Sequence, residues 1–256
     1  MLRMRLLITR LIQSLANRYG YSVIPKANYA QDGLYTLHST NFMDEERFSR
    51  AYTAGEATES WCGAAIHWRV HVACWFAERA IGRQGDLIEC GVNRGGMARS
   101  ILSYCSERLE SKRFFLLDTY KGIPESILSE RELSHDEIFK KSYSECYRAV
   151  VETFREFPNV YPIRGLVPET FAQVQSRQFC FVHLDMNNAS SEIAAAEYLW
   201  PLLSDGGIML LDDYGWQINS DQRNAFDKFA ADRKMVVLGL PTGQGVLMKV
   251  DAEKIA

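Results

Sequence analysis

A doubly wound α/β fold, with seven mostly parallel strands and helices on both faces, follows from three observations in the sequence. From residue 85 onward, short apolar runs alternate with helical stretches. The runs are apolar almost without interruption, the pattern of a parallel sheet covered on either side. The first unit, Gly85-Asp-Leu-Ile-Glu-Cys-Gly-Val-Asn-Arg-Gly-Gly96, reads strand, glycine turn, helix. That order suits a nucleotide-binding βα unit, because the glycines allow close backbone approach and the helix N-terminus offers unpaired N–H groups. The chain closes differently. Pro241-Thr-Gly-Gln-Gly245 is too short for a crossover, so the two runs that it joins must be antiparallel neighbours.

In chain order, residues 1–26 read as a basic amphipathic helix. Met4, Leu7, Ile8, Leu11, Ile12 and Leu15 recur at helical spacing, Arg3, Arg5, Arg10 and Arg18 add positive charge, and the first acid is Asp32. Arg10 interrupts any signal-peptide core and no small-residue cleavage site follows. Two readings remain: a helix packed on the domain or on a dimer partner, or a helix lying on a membrane surface. Residues 27–82 form an N-terminal lid and helical segment, polar up to 60, then an aromatic-rich helix over 61–81 that ends at Gly82.

The catalytic domain spans 83–252, with strands predicted over 87–92, 114–118, 160–164, 179–185, 208–212, 235–238 and 246–250. Helices are predicted after the glycine turn to Tyr104, over 146–157, briefly from Pro168, over 191–203 and over 220–233. The helix over 191–203 has serines as candidate N-caps and Glu192 in its first turn, and Gly206-Gly207 is expected to break it. A charged excursion over about 119–145 reads as a cap over the sheet edge.

Composition narrows the function classes. With 256 residues, 47% of them hydrophobic, 24% charged and a net charge of −3, the chain fits one decorated domain. It has no basic cluster interleaved with aromatics of the kind that binds nucleic acid. Its six cysteines have no CxxC spacing and several sit in apolar runs, which favours buried reduced thiols in a cytoplasmic protein. No apolar stretch is long enough to span a bilayer.

In such sheets ligands bind at the carboxyl ends of the strands, and here those ends are acidic: Glu89, Asp118, Asp185, Asp212 and Asp213. Asp118 stands where a carboxylate can accept hydrogen bonds from both ribose hydroxyls of a bound nucleoside. Gly91, Gly95 and Gly96 do not spell the dinucleotide pattern GxGxxG but do match the looser E/D-x-G-x-x-x-G loop of S-adenosylmethionine binders. Asp185, Asp212 and Asp213 converge from neighbouring strands. Adjacent carboxylates repel unless a cation sits among them, and a hard divalent ion such as Mg²⁺ with oxygen ligands meets that need. The alternative is that Asp212 or Asp213 only caps the following segment. His183 shares the strand face of Asp185, as a neutral core histidine or as a partner behind the metal. Arg69, alone in the aromatic helix, is a candidate donor to a ligand carboxylate.

Taken together, GDLIECGVNRGG, FLLDTYKGIPE, FVHLDMNNAS, GGIMLLDDYGW and LPTGQGVLMKV resemble the macrocin O-methyltransferase (TylF-like) family over roughly residues 60–250. Those are metal-dependent class I methyltransferases that act on sugar hydroxyls. The resemblance implies cofactor contacts at Glu89, Gly91 and Asp118, with Gly165 and Leu166 flanking adenine, and metal binding by Asp185, Asp212 and Asp213. It makes Asn93, Gly95, Gly96, Thr119 and Arg69 further cofactor candidates, and it implies a sugar or glycoside acceptor and a homodimer or higher homo-oligomer. One position departs. The family reads Asp-x-Asp after the fourth strand, with the second acid as general base, and this chain reads Asp185-Met186-Asn187. A carboxamide cannot take a proton at neutral pH. Either a metal alone acidifies the hydroxyl, or another group such as His183 assists, or the activity differs. The alternatives are a related metal-dependent enzyme of hydroxylase type, a nicotinamide oxidoreductase, or a catalytically reduced S-adenosylmethionine-binding protein.

Overall fold

The computed structural model describes residues 2–21, 24–134 and 143–250. Helix α1 (Leu2–Arg18) leads to a two-stranded antiparallel ribbon, β1 (Tyr29–Gln31) and β2 (Leu34–Thr36), and then to α2 (Glu46–Glu56) and α3 (His67–Ala80). The alternating part follows as β3 (Asp86–Cys90), α4 (Gly96–Cys105), β4 (Phe114–Asp118), α5 (Tyr147–Thr153), β5 (Val160–Arg164), β6 (Phe179–Leu184), α6 (Ala189–Leu199), β7 (Leu203–Leu211), α7 (Ser220–Ala231), β8 (Leu238–Gly239) and β9 (Gly245–Met248). Together β3 to β9 make one seven-stranded sheet in the order β5-β4-β3-β6-β7-β9-β8, in which β9 alone runs antiparallel. This is the layout that the terminal hairpin demanded.

Alternation along the strands sorts side chains to two cores. Leu87, Phe114, Leu116, Phe181, Ile208 and Leu210 pack under α2, α3 and α4 on one face. Ile88, Phe115, Leu117, Val182, Met209 and Leu211 pack under α6 and α7 on the other. Both sets are almost fully buried, and truncating one such side chain to alanine costs about 2–5 kcal/mol.

The structure redraws several boundaries. The aromatic helix begins at His67, because Cys62 and Gly63 turn the chain with positive φ of 49° and 82°. Within residues 46–80, Phe48, Ala51, Tyr52 and Gly55 of α2 are buried in the core beside α4, while Ser60, Trp61, Cys62 and Arg69 reach the sheet's carboxyl end together with the β1–β2 ribbon. Helix α6 is capped by Asn188, whose Oδ1 accepts from Ser191 N at 2.9 Å, rather than by the serines. Gly206-Gly207 lies inside β7, where Lys249 N donates to Gly207 O at 3.0 Å, so the pair bends a strand instead of ending a helix. The described part of the excursion after β4 rests on the start of α6 and also reaches the edge strand β5, where Arg164 Nη2 donates to Glu145 Oε2 at 2.5 Å. Ala189 N donates to Glu132 Oε1 at 2.8 Å, and Ser190 Oγ donates to Ile127 O at 3.1 Å. Residues 135–142 of that excursion, and 251–252 of the expected domain, lie outside the described residues.

Along α1, Met4, Ile8, Leu11, Ile12 and Leu15 are each more than half exposed, so this apolar face is not buried against the domain. Among the described residues no helix is long and apolar enough to cross a membrane. Five of the six cysteines are buried, the exception being Cys62.

Candidate active site

The carboxyl ends of β3, β4, β6 and β7 open into a cavity of about 340 Å³ lined by Glu89, Gly91, Asn93, Gly96, Asp118, Thr119, Gly165, Leu166, Asp185, Asn187, Asp212 and Arg69, among others. That volume lies within the range of small-molecule sites. Of the residues expected at the site, Gly95, His183 and Asp213 do not line it.

The glycine loop is fastened by backbone hydrogen bonds. Val92 N and Asn93 N donate to Asp118 Oδ2 at 2.7 and 2.8 Å, and Tyr120 N donates to Asp118 Oδ1 at 2.5 Å. Most of the acceptor capacity of this carboxylate is therefore spent on holding its own loop. Gly91, at φ 87°, could not carry a side chain for a reason unrelated to ligand approach, because a Cβ would drive into the carbonyl of Asp185 where β3 and β6 converge. Gly96 N donates to Ser60 Oγ at 2.8 Å, and Asn93 Nδ2 donates to Ser60 O at 3.0 Å. Gly95, with φ 88°, turns the chain into α4 against the Phe154 ring. Ser60 and Trp61 thus complete the loop from the N-terminal segment, and no motif announced them.

Behind the loop lies a buried ladder of charge. Glu89 and His183 are cross-strand neighbours on the same sheet face. His183 Nδ1 is 3.3 Å from Glu89 Oε1, and its Nε2 is 3.5 Å from Asp212 Oδ1. Burial opposes charging this imidazole, but the two carboxylates outweigh it and hold its pKa well above the usual histidine range. His183 does not line the cavity, and its ring lies between Glu89 and Asp212. Burial also raises the pKa of Glu89. Its Oε2 is buried and has no hydrogen-bond partner among the described residues, which leaves an acceptor for a cationic donor such as the ammonium of an amino-acid ligand.

The third group is the aspartate trio. One oxygen from each of Asp185, Asp212 and Asp213 lies within 4.8 Å of the others. Burial raises Asp185, and the charges of Asp212 and Asp213 raise it further. Burial and Asp212 push Asp213 up to about 7. Burial would raise Asp212 too, but Arg69 and His183 outweigh it and hold its carboxyl below the usual range. Gln244 Nε2, from the turn before β9, donates to Asp212 Oδ1 at 2.9 Å.

Arg69 is not at the glycine loop. Its guanidinium donates to Asp212 Oδ2 at 2.6 Å and to Asp32 at 2.8 and 3.1 Å, and lies 3.5 Å from Asp213 Oδ1. Asp32 carries no sequence signal, since it belongs to the tight turn of the β1–β2 ribbon. The loop after β6 is held from below by Glu192, which accepts from Met186 N at 2.9 Å, Asn187 N at 3.2 Å and Gln222 Nε2 at 2.8 Å. Burial, then Asp213, raises Glu192 to about 8. Asn187 Nδ2 lies 3.2 Å from Tyr143 Oη and 3.5 Å from Asp185 Oδ1, so the carboxamide donates where the family's base would accept.

Comparison with known proteins bears on the family and the fold. A family model described as Macrocin-O-methyltransferase (TylF) matches residues 73–237. A relative from Streptomyces olivaceus, 8-demethyl-8-(2,3-dimethoxy-alpha-L-rhamnosyl)-tetracenomycin-C 4'-O-methyltransferase, is 28% identical over 151 residues, 53% of this chain and 55% of its own. The chain thus spans about half the length of this curated relative. The structure of the O-methyltransferase NovP superposes with a TM-score of 0.62 at 20% identity, covering 72% of this chain and 80% of that one. That of the calicheamicin methyltransferase CalS11 does so with 0.57 at 13% identity, covering 90% and 100%. At such identities the two structures establish the fold. The family match spans more than half of the sequence, and the chain belongs to the macrocin O-methyltransferase family.

Proposed function

We propose that this protein transfers the methyl group of S-adenosylmethionine to a hydroxyl of a sugar or glycosylated small molecule, with a divalent cation held by Asp185, Asp212 and Asp213. The observation that carries the reading is one cavity walled by a family-type glycine loop on one side and, on the other, by Asp185 and Asp212, with Asp213 close behind them. The donor set suits a hard cation, since three carboxylates lie close enough to share one ion, and a guanidinium already sits against two of them. The orphaned Glu89 Oε2 suits the cationic amino group of the methyl donor. When bound, the donor supplies an electrophilic methyl group and the cation supplies Lewis acidity at the acceptor oxygen.

The chain's own residues position and exclude. Asp118 fixes the glycine loop through Val92 N and Asn93 N, so the loop needs little rearrangement to receive a ligand. Glu192 fixes the loop that carries Asp185 and Asn187. Asn187 donates rather than accepts, so its carboxamide orients a neighbour instead of taking the acceptor's proton.

The reading is tested with methyl-labelled S-adenosylmethionine and a panel of sugar nucleotides and glycosides, with and without chelator. Label is expected in at least one acceptor, lost on chelation and in Asp185→Asn. Transfer undiminished by both treatments would refute the cation's role. Asn187 favours one further reading, a catalytically reduced family member, whose signature is S-adenosylhomocysteine binding with no transfer to any acceptor.

A further inference from the structure

Arg69 is the second cation of the trio's neighbourhood after His183, and the one that the cavity can reach. It projects from the first turn of α3 and divides its fork. Nη1 takes Asp212 Oδ2 at 2.6 Å, while Nε and Nη2 take both oxygens of Asp32 at 3.1 and 2.8 Å. Its side chain is 13% exposed and lies 5.5 Å from the Trp216 ring. Trp216 in turn covers Gly33, where a Cβ would lie 2.8 Å from the ring, so the turn carrying Asp32 is seated against the site.

We propose that Arg69 is the resident counter-cation of the aspartate trio and competes with the divalent ion for Asp212 and Asp213, while Asp32 provides the place to which its guanidinium withdraws. The inference rests on the reading of the trio as a cation site. Two positive groups at Asp212 Oδ2 repel each other, and more strongly in a buried setting than at a surface. Leaving the trio uncompensated is also costly, since buried carboxylates without partners destabilise the fold. Arg69 therefore stabilises the protein before the ion arrives and opposes the ion when it does. The bidentate hold of Asp32 lets the guanidinium leave Asp212 without losing its partner altogether. Because coupling between two ligands of one site is reciprocal, an arriving ion loosens Arg69 from Asp212 as much as Arg69 weakens the ion.

The test is titration of the full chain with Mn²⁺ alone, followed by calorimetry, on wild type, Arg69→Met and Asp32→Asn. Arg69→Met is expected to bind about tenfold more tightly, within the span usual for such coupling. It should also melt at lower temperature without the ion and recover when the ion is added. Asp32→Asn is expected to bind several-fold more weakly, since the guanidinium loses its alternative carboxylate. This second variant leaves Arg69 in place and keeps the inference testable if Arg69→Met fails to fold. Equal affinity in all three proteins, or weaker binding in Arg69→Met, overturns the role given to Arg69 while the cation site stands. Flat titrations in all three overturn the cation site as well.

Discussion

The two walls of the cavity are built on different physics. The wall at β3 and β4 is held by backbone geometry: three N–H groups on the Asp118 carboxylate, Ser60 under Gly96, and a glycine where β3 meets β6. The wall at β6 and β7 is held by charge, with Asp32, Asp185, Asp212 and Asp213 set against Arg69, and with His183 between Asp212 and Glu89 of β3. The first wall is complete before a ligand arrives. The second holds more acidic than basic side chains and is the one whose state a cation, a proton or a nearby guanidinium can change. Preorganisation and responsiveness are thus separated by one strand spacing within a single site.

The comparison breaks most severely at Gly91. Gly91→Ala forces a Cβ into the Asp185 carbonyl at a positive φ and is expected to cost more than about 3 kcal/mol, damaging both walls at once. Chemical denaturation would show it, and a stable, fully active variant would mean that the strands part easily. A finer cut is Asp118→Asn, which turns an N–H₂ group toward backbone donors, costs about 1–3 kcal/mol and is expected to weaken S-adenosylhomocysteine binding by about ten- to a hundredfold. Mn²⁺ affinity should stay unchanged in that variant, and a parallel loss would show that the walls are coupled.

The smallest effect expected is on pH dependence. Asp213 at about 7 and Glu192 at about 8 bind protons more tightly when folded than when unfolded. Their contribution to stability is full below the ordinary carboxylate range and is lost as pH rises through 7 and 8. Melting temperature without divalent ions should fall by about 5 °C between pH 6 and 9. Glu192→Gln should remove part of that slope and added Mg²⁺ another part. A flat profile would place both carboxylates in a better-solvated setting than their burial indicates.

Legibility in the sequence divides along the same line. The glycine loop, Asp118, Asp185, Asp212 and Asp213 lie at strand ends, and hydrophobic alternation locates strand ends well, so the fold order and the main acids could be read. Asp32, Ser60 and Tyr143 reach the site from irregular segments by contacts distant in sequence, which no local pattern encodes. Arg69 was visible as an oddity in an apolar helix. Its partners were not, because they depend on where a short ribbon folds back. The Gly206-Gly207 pair misled for a related reason: glycines that bend a strand look the same in sequence as glycines that end a helix.

The position of Gln244 has a consequence for synthesis. It is fully buried and binds Asp212 from the turn that launches β9, the strand slotted between β7 and β8. A chain emerging from the ribosome carries Ser60, Val92, Asn93 and Asp118, which fasten the glycine loop, before β6 is made. It cannot pin Asp212 until that late hairpin has emerged and inserted between its neighbours. The side chain that pins Asp212 is therefore among the last of the site to be synthesised, long after those that fasten the glycine loop.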